Sequence, residues 1–369
     1  MDWIAILIKF ALAGVTILVV FGIAGLLTWV ERKQSAVMQD RIGANRAAIF
    51  GFTAFGLFHA IADVLKMLSK EEFIPAGANK FLYNLAPYLS VTFALVGFAA
   101  IPFGNQLIIG DRVIELQAAN INVALIFVFA MMSMGVYGVV LAGFSSNNNY
   151  AFLGGMRGAA QMIAYEVTMG AAIIGVIMVF NTIDMQQLVR AQGEYLFGGW
   201  LPKWGVFVQP LAFILFLTAA TAETKRTPFD LPEGESEIIG YFVEYSGMKF
   251  GMFFLADLIE TVMVAALMAT LFLGGWQVIY LHPDGFHFPW SSGPLGGGTF
   301  IALPHLAVVF LGMAAFIIKL SFFIWLLMTV RWTLPRFRYD QLMRLGWKIL
   351  LPASLVNIAV TAIVITLLR

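Results

Sequence analysis

The sequence predicts an all-α polytopic membrane protein: eight transmembrane helices, plus an amphipathic helix on the cytoplasmic side between the first and second spans. Three observations lead there. Of 369 residues, 60% are hydrophobic and 12% charged, with 34 Phe, 18 Met and 9 Trp, and the mean hydropathy of +0.87 is far from that of soluble domains. Apolar runs of about 20 residues, enough to cross a hydrocarbon core of roughly 30 Å, recur along the chain. Short segments of alternating polarity, the mark of a membrane barrel, are absent. The whole of 1–369 reads as one membrane domain.

The spans read as 4–30, 82–103, 121–143, 159–181, 206–222, 252–273, 305–329 and 348–368. The first is too long and uniformly apolar for a cleavable signal, and no A-x-A site follows it. The odd-numbered connections, 31–81, 144–158, 223–251 and 330–347, carry 7, 1, 3 and 4 lysines and arginines. The even-numbered ones, 104–120, 182–205 and 274–304, carry 1, 2 and 0. That bias puts the odd connections in the cytoplasm and both termini on the other side, which in a bacterial inner membrane is the periplasm. Within the first connection, FTAFGLFHAIADVLKMLSK (52–70) repeats apolar residues at helical spacing, with His59, Asp63, Lys66 and Lys70 on another face. This is the pattern of a helix lying in the interface. The Pro/Gly-rich stretch 282–304 reads as a connector without chemistry, and no internal repeat is visible.

Charges inside apolar runs are the functional candidates, because each costs several kcal/mol to insert. Glu166 lies about two turns inside the fourth span. Asp257 and Glu260 lie in the sixth, one helical turn apart and thus on neighbouring faces. Lys319 lies in the seventh, where pairing with one of these acids would ease its insertion. A second concentration of charge occupies the acidic connection 223–251, with Glu223, Asp230, Glu233, Glu235, Glu237 and Glu244. Pro228 and Pro232 give it a defined, irregular path, and Phe229, Leu231, Ile238 and Ile239 interleave the acids. Carboxylates crowded in a partly dry setting are pushed up toward neutrality and can exchange protons near pH 7. Glu233, Glu235 and Glu237 are expected to form such a cluster. The chain has no cysteine, so thiolate-held iron–sulfur or zinc sites are excluded, and its four histidines form no transmembrane pair for haem. Redox centres must belong to partner chains.

The segment AETKRTPFDLPEGESE (222–237), followed by VEYSGMKFGMFFLAD, closely resembles the family of membrane H subunits of respiratory complex I, NADH–quinone oxidoreductase. WVERKQSAVMQDRIGANR (29–46), IADVLKMLSKEEFIP (61–75), LAGFSSNNNYAFLGGMRGAAQMIAYE (141–166) and RWTLPRFRYDQLMRLGWKILLP (331–352) extend the resemblance over nearly the whole chain. It implies a subunit at the junction of the peripheral and membrane arms of a proton-pumping enzyme, forming the membrane-side wall of a quinone chamber. Quinone would be its substrate. Flavin mononucleotide and iron–sulfur clusters would sit on partner subunits, and its contacts would be those subunits, the small membrane-arm subunits and lipid, with no nucleic acid. Carried over by position, the resemblance implies that Glu31, Arg32, Arg41 and Arg46 line or brace the chamber mouth. Asp63 and Lys66 would flank the entrance, with Glu223, Arg226 and Asp230 beside the chamber. Glu166, Glu233, Glu235, Glu237, Glu244 and Asp257 would form an acidic path with Arg331 and Arg336 as positive partners; Glu260 and Lys319 join the candidates from the residue reading.

Three positions depart from the family pattern. Lys225 stands where Asn is common and adds a positive charge beside Glu223. Asp257 stands where Glu is frequent, and Glu260 where many members are neutral, so Glu260 is expected to compensate for the shorter Asp257. Two other functions fit parts of the sequence. One is the homologous subunit of a membrane-bound hydrogenase or a ferredoxin- or deazaflavin-linked oxidoreductase. The other is a secondary transporter with Asp257, Glu260 and Lys319 as its ion site, which requires inverted repeats and discontinuous helices. Neither of those features is evident in the sequence.

Overall fold

The computed structural model describes residues 3–110, 112–196, 200–234, 237–238, 240–287 and 300–368. Twelve helices carry the fold among them. They are α1 (Trp3–Met38), α2 (Phe58–Ser69), α3 (Lys80–Val96), α4 (Ala124–Ser145), α5 (Asn149–Phe180) and α6 (Met185–Ala191). After these come α7 (Gly205–Val208), α8 (Pro210–Glu223), α9 (Gly247–Phe272), α10 (His305–Thr333), α11 (Tyr339–Arg344) and α12 (Leu351–Leu368). Seven stretches are long and apolar enough to cross a membrane, by way of α1, α3, α4, α5, α9, α10 and the continuous α11–α12 unit; α8 is a shorter apolar helix. The membrane fold follows from these lengths. Helix α9 is hydrophobic all round and buried at every position from Ala256 to Phe272, which makes it the central post. Around it pack α1, α2, α3, α6, α8 and α10, while α5 joins α4, α8 and α12.

The fifth span departs from expectation. Residues 206–222 do not form one helix: α7 ends at Val208, Gln209 turns to φ −133°, ψ 61°, and Pro210 opens α8. Proline suits a first helical position because its missing N–H would have no partner there. The 14 residues of α8 rise about 21 Å, short of a hydrocarbon core of about 30 Å. Backbone bonds persist across the break, from the Gln209 N–H to the Gly205 carbonyl at 2.8 Å and from the Phe213 N–H to the Gln209 carbonyl at 3.1 Å, and α12 braces the Gln209 side chain. Asn357 Nδ2 donates to Gln209 Oε1 at 3.1 Å, and Gln209 Nε2 donates to Thr361 Oγ1 at 2.8 Å. A discontinuous helix is therefore present, although none is evident from sequence.

Two boundaries also shift. Helix α5 starts at Asn149, where Asn148 Oδ1 caps the Tyr150 N–H at 2.9 Å. Glu166 thus sits nearly five turns along the helix rather than two. The amphipathic helix, expected from Phe52, starts at Phe58, because Phe50, Ala54 and Phe55 take positive φ and Gly56 turns at φ +90°. His59 Nε2 accepts the Arg46 and Ala47 N–H groups at 3.2 and 3.1 Å and ties that turn to α2. No residue of α2 is buried, as a helix lying on a surface requires.

The even-numbered connections form small antiparallel ladders: β1 (Gln106–Ile109) with β2 (Arg112–Glu115), β3 (Tyr195–Leu196) with β4 (Leu201–Pro202), and β5 (Leu281–His282), β6 (Gly285–His287) and β7 (Phe300–Ala302). Most of the Pro/Gly-rich connector, 288–299, lies outside the described residues.

Candidate functional site

Helix α8 delivers the acidic connection to α9. Its last residue, Glu223, is 2% exposed, and both carboxylate oxygens lack hydrogen-bond partners among the described residues. Thr224 closes the helix, and Lys225 then turns at φ 53°. That turn drives the Lys225 side chain inward, where it is 3% exposed. Its Nζ lies 2.9 Å from Asp257 Oδ1 and 3.4 Å from Glu260 Oε2. Burial works against the ammonium, but Asp257 and Glu260 override it and raise Lys225 well above the ordinary lysine range. Glu233 approaches the same centre from the far side of the loop, where it feels the Asp257 carboxylate. Burial, then Asp257 and Asp230, push Glu233 well above the usual carboxylate range.

Arg226 leads from this centre toward α1. It lies 4.0 Å from Glu31 Oε2, and its Nη1 has no hydrogen-bond partner among the described residues. Glu31 is gripped instead by Arg331 of α10, at 2.6 Å. Burial and Arg331 lower the hold of Arg226 on its proton, while Glu31, Asp257 and Glu233 oppose them. Asp230 is pushed up by burial, against the pull of Arg336, which binds it at 2.7 Å. At the other end, Glu223 feels Glu260 and Glu166 as neighbouring charges, and Ser133 Oγ of α4 donates to Glu166 Oε1 at 2.5 Å.

Beside Glu31 on the chain, Arg32 faces a different space. It pairs with Asp63 of α2 at 2.5 Å, and both line a cavity of about 550 Å³ between α1, α2 and α9. Lys66 lies on its rim, and the remaining wall is mostly apolar, including Met67, Phe254 and Leu258. Leu258 follows Asp257 directly, so α9 presents an apolar face to the cavity and its acids to Lys225.

Several expectations are redistributed. Lys319 does not meet an acid. Its Nζ donates to the Leu273, Gly275 and Gln277 carbonyls at 2.6, 2.9 and 2.6 Å, in the turn that follows α9, at the negative end of the helix dipole. Glu233 and Glu237 do not cluster: the turn at Gly234 sends Glu237 to the surface, against Arg157 at 3.3 Å. Glu235 lies outside the described residues. Arg41 bonds Gln39 at 2.6 Å, and neither it nor Arg46 lines the cavity. Glu244 joins the connection's exit, accepting from Asn148 at 2.6 Å. Nearby, Tyr83 and Tyr245 stack at 4.0 Å, and Tyr83 donates to the Glu244 carbonyl at 2.7 Å. The sequence places Lys225 beside Glu223 but does not announce its grip on Asp257 and Glu260. The AETKR run is a visible signal; the positive-φ turn that aims the lysine inward is not. Ser133 and Asn148 are further partners that spacing does not announce.

Comparison with known proteins fits this arrangement. Residues 10–362 match the family model described as NADH dehydrogenase. The H subunit of the NADH-quinone oxidoreductase of Thermomicrobium roseum is 42% identical over 368 residues, covering 99% of this chain and 98% of the relative. The H subunit of Flavobacterium johnsoniae is 40% identical, with coverage of 95% and 94%. An H subunit of Geobacter metallireducens is 42% identical, with 98% of each chain covered. The chain therefore belongs to the NADH dehydrogenase family, as an H-type membrane subunit of NADH-quinone oxidoreductase.

Proposed function

We propose that this chain forms the membrane-side wall of a quinone site and couples quinone reduction to proton movement. The observation that carries the reading is continuity. From the cavity, Arg32–Asp63 adjoins Glu31, which Arg226 and Arg331 share; Arg226 faces Glu233 and Asp257, and Lys225 links Asp257 to Glu260 and onward to Glu223 and Glu166. The apolar cavity suits an isoprenoid tail, and its Arg32, Asp63 and Lys66 suit a polar headgroup.

Reduction of a quinone to quinol takes two electrons and two protons. In the absence of cysteine, the electrons are assigned to flavin and iron–sulfur centres on peripheral-arm partner subunits, and this chain is a non-redox component. As the headgroup gains electrons, the negative charge draws on Arg32 and so loosens its hold on Asp63. The change shifts the balance of Glu31 between Arg226 and Arg331. A displaced Arg226 alters the field on Glu233 and Asp257, and a proton held by the raised Glu233 carboxyl is the mobile element. Lys225 then leans between Asp257 and Glu260, and Glu223 and Glu166 carry the change into the bundle toward the small membrane-arm subunits. Fifteen of the lysines and arginines in the connections lie on the odd-numbered ones and three on the even-numbered. This supports a cytoplasmic acidic face with both termini in the periplasm.

Crosslinking the purified complex with a photoreactive quinone analogue tests the site. Label is expected on 25–67 and 248–258; label confined to other parts of the chain, or to other subunits, sinks the assignment.

A further inference from the structure

On the face opposite the acidic connection, we infer a specific site for an anionic phospholipid between α1, α10 and the β1–β2 hairpin. Two cavities meet there, sharing Leu12 and Gln117. The deeper one, about 260 Å³, is a nearly all-apolar slot between α1 and α10, walled by Val19, Ile23, Met313 and Phe316. Along α1 it runs from Leu12 to Ile23, about 16 Å at the helical rise, which is close to half of a roughly 30 Å hydrocarbon core. It is the length of one leaflet's acyl chain.

The shallower cavity, about 450 Å³, opens at the end of that slot and is polar. Lys9 of α1 and Arg112 of β2 both line it, both side chains are exposed, and neither forms an ion pair among the described residues. The carboxylate at the rim, Glu115, is engaged by Asn120 Nδ2 at 2.6 Å. A lysine two turns inside an apolar helix lifts its ammonium to headgroup level, and here a second cation awaits at that level. A phosphate in this cavity would meet two cations.

Gln117 sits where the two cavities join and is 3% exposed. Its Nε2 donates to the Ala100 carbonyl at 2.7 Å, but its Oε1, wholly buried, has no donor among the described residues. An unsatisfied buried acceptor is costly, and a headgroup hydroxyl would satisfy it. Negative charge, a hydroxyl donor and an acyl chain together describe phosphatidylglycerol. A quinone's carbonyls can accept from the two cations, but it brings no negative charge to balance them and no donor for Gln117.

The test is lipid retention by the intact purified complex during detergent washing, read by mass spectrometry, in wild type and in Lys9→Gln/Arg112→Gln. Wild type is expected to keep phosphatidylglycerol that the double variant loses, on the order of tenfold, with phosphatidylethanolamine retained equally by both. Should the variant fail to assemble, photoreactive phosphatidylglycerol applied to the wild-type complex must label 8–23, 112–120 and 313–320 more than photoreactive phosphatidylcholine does. Equal retention by variant and wild type, equal labelling by both lipids, or recovery of a quinol in place of lipid overturns the site.

Discussion

At the residue scale, Lys225 is the hinge of the buried charges. A non-glycine residue in the left-handed region costs roughly 1–2 kcal/mol, and asparagine tolerates that position better. A lysine at φ 53° is explained by what its ammonium reaches, Asp257 and Glu260. Lys225→Met leaves these two acids facing each other without a cation, and removing one partner of a buried pair costs about 3–5 kcal/mol. Lower yield of assembled complex and a lower unfolding temperature are the expected readouts. Adding Glu260→Gln removes one negative charge to match the lost positive one, so the double variant recovers most of that loss; a double-mutant cycle without recovery would mean that Lys225 acts by packing alone. Glu233 gives a pH dependence of known sign. Its carboxyl, pushed up by burial and by Asp257 and Asp230, keeps a proton that the unfolded chain has already released. The stability it contributes is present below the ordinary carboxylate range and is lost as pH rises through the raised value. Glu233→Gln cannot titrate, so its unfolding temperature should fall less than that of wild type from mildly acidic to alkaline pH. Parallel curves would remove Glu233 from the titrating groups.

At the scale of elements, close helix approach positions the acids. Helices α4 and α5 meet at a corner where a Cβ on Gly143 would lie 2.6 Å from the Ala151 carbonyl oxygen and 3.2 Å from the Phe152 Cα. Both are backbone atoms and cannot rotate away. Gly143→Ala should therefore force the helices apart and cost about 1–3 kcal/mol, measured as a lower unfolding temperature and a longer distance between spin labels on the two helices. The helices themselves are legible in the sequence because an apolar run of membrane length carries its own signal. The break at Gln209 is not: it is one amide in an apolar run, and its partners Asn357 and Thr361 lie 148 and 152 positions away. The acids are legible for the converse reason, since a carboxylate inside such a run stands out. Their connections are less so. The spacing of Glu233 and Glu237 suggests one cluster, yet a turn at Gly234 sends one inward and the other to solvent. Backbone carbonyls, the true acceptors of Lys319, leave no mark in a sequence at all.

At the scale of the whole molecule, ionisable residues meet α9 at its middle and at its far end, with different tasks. Asp257 and Glu260 face Lys225 near the acidic connection, while Lys319 closes the far end through the carbonyls of Leu273, Gly275 and Gln277, over the Trp204 ring at 4.4 Å. From Glu260 to Leu273 the helix rises about 20 Å, too far for direct pairing. A transporter-like ion site made of all three residues would lose transport on changing any one of them. Separate tasks predict a split instead. Lys319→Met removes hydrogen bonds to a charged donor, worth about 1–3 kcal/mol, so the complex should unfold earlier. Those molecules that assemble should still move the wild-type number of protons per quinol formed. Glu223→Gln should do the opposite. Its carboxylate has no hydrogen-bond partner among the described residues to lose, so stability should hold or rise. If Glu223 relays protons between Glu260 and Glu166 as proposed above, its loss should slow coupled turnover, by on the order of a hundredfold. Proteoliposomes report both quantities at once, through quinol formation and internal acidification. Loss of the proton ratio in Lys319→Met, with turnover intact in Glu223→Gln, would reverse the assignment of the two groups.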